Sequence, residues 1–176
     1  MVRKSIGVVQ ALEKSTEVAF FGEPYDGPLH VHHIFSVAQY PQLATHRENL
    51  IYLTLNQHLD MAHPKGSTHS VDPFLQLVCL QAKVDSIQRD YQREQSSYSW
   101  KSFCEVLNIG LDTDVFHEGI NPARLKAMIV MVFSERVLKN TVPTQLLPRV
   151  SATKGVASTA ASKAASTAVT TQQERK

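Results

Sequence analysis

Six of the eight histidines in this chain lie between His30 and Gly66, as His30-Val31-His32-His33, then His46, then His58 and His63. Imidazole is the commonest protein metal ligand and the only side chain that titrates unperturbed near neutrality. A fold that uses such a run must bring distant positions onto one site. The local pattern around the histidines therefore constrains the architecture more than any other segment.

That pattern reads as strand, long loop, strand, helix. Residues 29–34 form a strand candidate after a Gly- and Pro-rich turn at 22–28, which itself follows a short strand at 18–21. Residues 36–48, broken by Pro41, read as an irregular loop, and residues 50–53 as the next strand. Thr54 or Asn56 can cap a helix that starts near Leu55 and carries His58 toward His63, where Pro64-Lys65-Gly66 stops it. Upstream, Ile6, Val9 and Leu12 predict a short helix over 5–14. Downstream the chain is helical. Asp72-Pro73 opens one helix with Leu77, Leu80, Val84 and Ile87 on one face. Trp100, Phe103 and Leu107 mark a second, ending at Asn108 and Gly110, and Asn121-Pro122 opens a third with Leu125, Met128, Ile129, Val132 and Phe133. These stripes read as core.

The ordered set His32-His33, Glu48-Asn49-Leu50-Ile51, Thr54, Gln57-His58 and His63 resembles the HNH, or ββα-metal, nuclease motif. It is also similar to the nuclease domains of bacterial colicins. The resemblance covers about a quarter of the chain and says nothing of the downstream helices. It implies an α+β fold, a ββα-metal motif over 29–66 packed against several α-helices. It further implies an endonuclease that hydrolyses DNA phosphodiester bonds, with double-stranded DNA as partner and one divalent cation, magnesium, manganese, nickel or zinc, as cofactor. By the same resemblance His32, His58 and His63 are the metal ligands, His33 is the general base, and Asn49 holds the loop that orients it. Phosphodiester hydrolysis needs an activated water and relief of charge on the phosphoryl and leaving oxygens, which one base and one cation can supply. Three histidine ligands leave positions open for water and phosphate.

The spacing also leaves alternatives. His58 and His63 are five apart, whereas a regular α-helix aligns residues four apart, so the helix widens, ends early, or leaves His63 outside the ligand set. Neighbouring strand residues face opposite sides, so His32 and His33 share a site only where the strand ends or bends. His30 shares the His32 face and is the substitute ligand. Arg47, Lys65 and Ser67-Thr68 flank the motif as phosphate-binding candidates, while Glu48 reads as a solvated loop acid and His46, His69 and His117 as residues without a chemical role. The competing readings are a non-catalytic metal-stabilised nucleic-acid-binding module and a helical interaction protein with incidental histidines. One site cuts one strand, so double-strand cleavage would take a homodimer or a second encounter.

Composition sets the remaining bounds. Residues 1–140 suffice for one domain with its own core, the helical part spanning 72–139. Residues 141–176 hold an Ala/Ser/Thr tract without aromatics in 151–171 and read as a disordered tail. That tail carries five basic residues and one acid, leaving thirteen basic and fifteen acidic residues in the folded part. A uniformly basic nucleic-acid footprint is thereby excluded, and any such contact rests on local charge and metal. Cys79 and Cys104 are too few for a four-cysteine zinc site and sit in apolar stripes. No membrane-length or signal-like apolar run is visible, so a cytoplasmic protein with no membrane partner is expected.

Overall fold

The computed structural model describes residues 1–13, 15–18, 27–63, 66, 69–93 and 96–141. Most of the strand expected over 18–21, and the tail from 142 onward, lie outside these residues. Mixed helix and sheet make an α+β chain. Strands β1 (Leu29–His33) and β2 (Leu50–Thr54) pair antiparallel, with His32 opposite Ile51 and His33 opposite Leu50. Leu50, Ile51 and Leu53 are fully buried, so β2 is sunk in the core while β1 keeps one side accessible.

The free side of β2 is covered by the segment that follows helix α1 (Val2–Leu12). The amide of Glu17 donates to Tyr52 O at 2.9 Å, and Tyr52 N donates to Glu17 Oε1 at 2.9 Å. A strand edge presents unpaired backbone groups, and this segment satisfies one pair of them. Glu17 Oε2 in turn meets Lys83 Nζ at 2.5 Å, both side chains being fully buried. Burial of two charges is tolerated only when they are paired, and Tyr98 OH, 3.3 Å from the ammonium, adds a further partner. Helix α1 itself runs three residues earlier than the 5–14 expectation, and Ser5 Oγ donates to Thr45 O at 2.7 Å.

Three helices support the sheet: α2 (Pro73–Asp90), α3 (Trp100–Leu111) and α4 (Pro122–Thr141). Asp72 caps α2 by accepting from Leu75 N at 3.0 Å, and Ser99 caps α3 by accepting from Ser102 N. Leu80, Val84, Ile87, Phe103, Leu107, Leu125, Ile129 and Phe133 are buried, as the apolar spacing requires, while Leu77, Trp100, Met128 and Val132 lie at the margins. Gly110 does not stop α3. The helix runs on to Leu111 and closes on Asp112 in the left-handed region at φ 55°. Gly110 serves close packing instead, because a Cβ there would overlap the Phe35 ring. Arg136 of α4 donates to Gly110 O and to Tyr40 OH, and Tyr40 packs edge-on to Phe35 with centroids 5.5 Å apart. The loop after β1 is thus strapped to α3 and α4. Among the described residues no helix is long and apolar enough to cross a membrane.

Candidate metal centre

The residues that follow β2 decide the geometry. Thr54 Oγ1 accepts from Gln57 N at 3.2 Å, and Gln57 Oε1 accepts from Thr54 N at 2.9 Å. This reciprocal pair is a capping box, a device that starts a helix at a defined residue. Gln57 also accepts from Thr16 Oγ1 at 2.7 Å and donates through Nε2 to Val18 O at 2.9 Å, so the helix start is tied to the segment covering β2. The helix then widens into a π-helical turn over Gln57–Ala62. A π turn bonds residue i to i+5, so it stacks positions five apart. His58 lies in this turn, which ends at Ala62 so that His63 is the first residue past it; the two are five apart and their rings meet edge-on with centroids 5.5 Å apart.

His32 completes the group from β1, 5.3 Å from the His58 ring and 5.0 Å from the His63 ring. One nitrogen from each of the three lies within 4.8 Å of the other two. His32 Nε2 and His58 Nδ1 are buried with no hydrogen-bond partner among the described residues. Buried polar atoms are nearly always partnered, so two such orphans facing a third imidazole fit a shared cation. His63 Nδ1 lies 3.3 Å from Ser70 O, and since a carbonyl only accepts, the ring donates there and keeps the Nε2 lone pair for a ligand bond. Burial and the neighbouring imidazoles of His63, His58 and His33 pull the pKa of His32 down to about 3. Burial, followed by His63 and His30, lowers that of His58. Neutral imidazole is the form that binds metal, and three of them suit transition ions better than magnesium.

β1 ends at His33, which lets His33 line the same hollow as His32 despite their adjacency. The hollow, about 210 Å³, is walled by Val31, His32, His33, Ser36, Val37, Ala38, His58 and His63. His33 stands apart from the three clustered nitrogens. Its Nε2 lies 3.2 Å from Ala44 O, so Nε2 carries the proton and Nδ1 keeps a lone pair. Burial lowers its pKa, opposed by that carbonyl, and leaves a neutral ring able to accept a proton. Asn49, fully buried, accepts from Phe35 N at 2.8 Å and donates to Phe35 O at 3.0 Å and Leu43 O at 3.3 Å. It ties the start of the loop after β1 to the turn that supplies Ala44, and its backbone carbonyl accepts from Ile34 N, next to His33, at 2.8 Å.

The remaining candidates fall elsewhere. His30 stacks on His58, centroids 5.5 Å apart and 12° between planes, outside the three-nitrogen group. Arg47 lines a separate hollow with His46, Ser97 and Ser102, and its guanidinium donates to Ser97 O at 3.0 Å. Lys65, Ser67 and Thr68 lie outside the described residues. Glu48 is not a solvated acid: it is buried, and its Oε1 accepts from Ser99 N at the start of α3. His46 sits 3.8 Å from Glu105, and His69 and His117 are exposed. Ala44 and Ser70 enter without any sequence expectation, and Gln57, part of the motif, takes a role not assigned to it there. Only Gln57 has a signal that could have found it, the Thr54-x-x-Gln57 spacing of a capping box. No family model matches the chain, and no curated protein or solved structure matches it.

Proposed function

We propose that the chain is a metal-dependent endonuclease of HNH type that hydrolyses phosphodiester bonds of double-stranded DNA, built on a ββα-metal motif formed by β1, β2 and the helix carrying His58. One observation carries this reading: a fourth histidine, His33, lines the hollow of the three-histidine cluster with its own tautomer set by a backbone carbonyl. A closed structural site has no use for such a residue. His32, His58 and His63 would hold the cation, which when bound supplies positive charge to the phosphoryl and leaving oxygens. His33 Nδ1 accepts the proton of the attacking water as its oxygen bonds to phosphorus and the bond to the 3′ oxygen breaks. Asn49 keeps the loop that holds His33 from shifting. The mixed charge of the folded part leaves DNA attraction to the cation and local groups.

Nicking of supercoiled plasmid by the purified chain, with magnesium, manganese, nickel and zinc in turn, tests the reading. His33→Ala should lower the cleavage rate by about 100-fold or more while keeping metal affinity, in line with the loss of a general base. His58→Ala should lose metal and cleavage together. A chain that binds metal but never nicks would instead fit a metal-stabilised binding module, and unchanged cleavage in His33→Ala would remove His33 as the base.

A further inference from the structure

An uncharged stripe runs along the exposed side of α4, with Arg124 and Glu135 at its edge. Leu125, Ile129 and Phe133 point into the core and are buried. On the opposite side Ala123, Ala127, Val130, Met131, Ser134 and Leu138 are all exposed, Val130 by 43%, Met131 by 56% and Leu138 by 63%. At about 100° per residue these six fall within an arc of roughly 100°, over a length of about 22 Å. Surface helices normally present charged and polar residues on the side away from the core. Here charged residues, Arg124, Glu135 and Lys139 among them, flank a stripe of apolar and small ones.

Their order is self-complementary. Counting outward from the point between Val130 and Met131, Met131 is level with Val130, Ser134 with Ala127, and Leu138 with Ala123. An antiparallel copy of the helix therefore sets the large Leu138 against the small Ala123 at both ends, with the thickest side chains meeting at the centre. Close helix pairing requires that alternation of large and small. The charges at the margin obey the same symmetry. Arg124 and Glu135 lie on one flank of the stripe, on opposite sides of the central point, and neither forms an ion pair among the described residues. A two-fold axis through that point keeps them on one flank and brings each Arg124 within about 3 Å along the axis of Glu135 in the second copy. Lys126, on the other flank, is already engaged with Asp85 at 2.6 Å.

We propose that α4 is a homodimer interface, in which two copies of the chain pair their α4 helices antiparallel about a two-fold axis between Val130 and Met131. Size matching and charge complementarity both select a second copy of this chain as the occupant. The interface is independent of the nuclease reading and uses none of its residues.

Sedimentation equilibrium of the full chain, with a chelator present so that histidines cannot bridge copies through metal, tests it. The wild type should show a reversible monomer–dimer equilibrium in the micromolar range. Met131→Glu sets two carboxylates beside the axis and should leave a monomer with an unchanged circular dichroism spectrum, since the position is exposed. Arg124→Glu alone faces like charges twice and should weaken the dimer by about tenfold, as should Glu135→Arg alone. The double variant R124E/E135R should restore the wild-type constant, an outcome that a general surface effect would not produce. A wild type that stays monomeric at every concentration overturns the proposal. So does a dimer indifferent to Met131→Glu, or one that the double swap fails to restore.

Discussion

At the scale of single residues, His32 couples the centre to pH. Its ring has lost solvent and sits against three other imidazoles, which depresses its pKa from the ordinary 6.5 to about 3. The unfolded chain takes up that proton near pH 6.5, whereas the folded chain does so only near pH 3. The stability tied to His32 in the metal-free protein is therefore fully present above pH 6.5 and is lost as pH falls from 6.5 toward 3. His33 and His58 shift in the same direction and add to the slope. Urea unfolding in chelator should show a midpoint that drops steadily between about pH 7 and pH 5, with a shallower drop in His32→Gln. The histidines that meet are legible in the sequence through the motif they resemble, whereas strand and helix periodicity alone left His63 in doubt and offered His30 instead. What holds them is less so. Ala44 and Ser70 act through backbone oxygens, which any residue supplies, and Arg47 turns away because Ser97, fifty positions on, gives its guanidinium a partner.

At the scale of elements, the decisive feature is the π-helical turn. It brings two histidines at a spacing that suits no α-helix into edge-on contact, and the capping box at Thr54 and Gln57 sets where the turn begins. Gln57→Ala removes a side chain that satisfies Thr54 N and Val18 O, so the register of His58 and His63 loosens. Isothermal titration with zinc should report affinity lower by about 10- to 100-fold, the usual cost of losing a group that orients ligands. Unchanged affinity would show that the turn holds its shape without the box. The helical stripes are readable because burial of one face imposes their period. The end of α3 is not, since Gly110 carries the signature of a helix stop while answering to Phe35 from a distant loop. Glu48 escapes for the same reason, its partner being the amide of Ser99.

For the whole molecule, the long-range ties matter more than the motif. The Lys83–Glu17 pair joins α2 to the segment along β2, and removal of one partner strands the other in the core. Lys83→Met should lower unfolding free energy by about 3–5 kcal/mol, measured by urea titration, while the double variant K83M/E17Q should recover much of the loss. Such pairings connect positions that no local pattern links, which is why they are silent in the sequence. The strap from Arg136 to Tyr40 spans 96 residues and belongs to the same class. A chain leaving the ribosome N-terminus first exposes every histidine of the run long before α4 exists. During synthesis the loop beside the hollow therefore has its Asn49 clamp but not its tie to Arg136. The order of translation itself makes that tie one of the last to form.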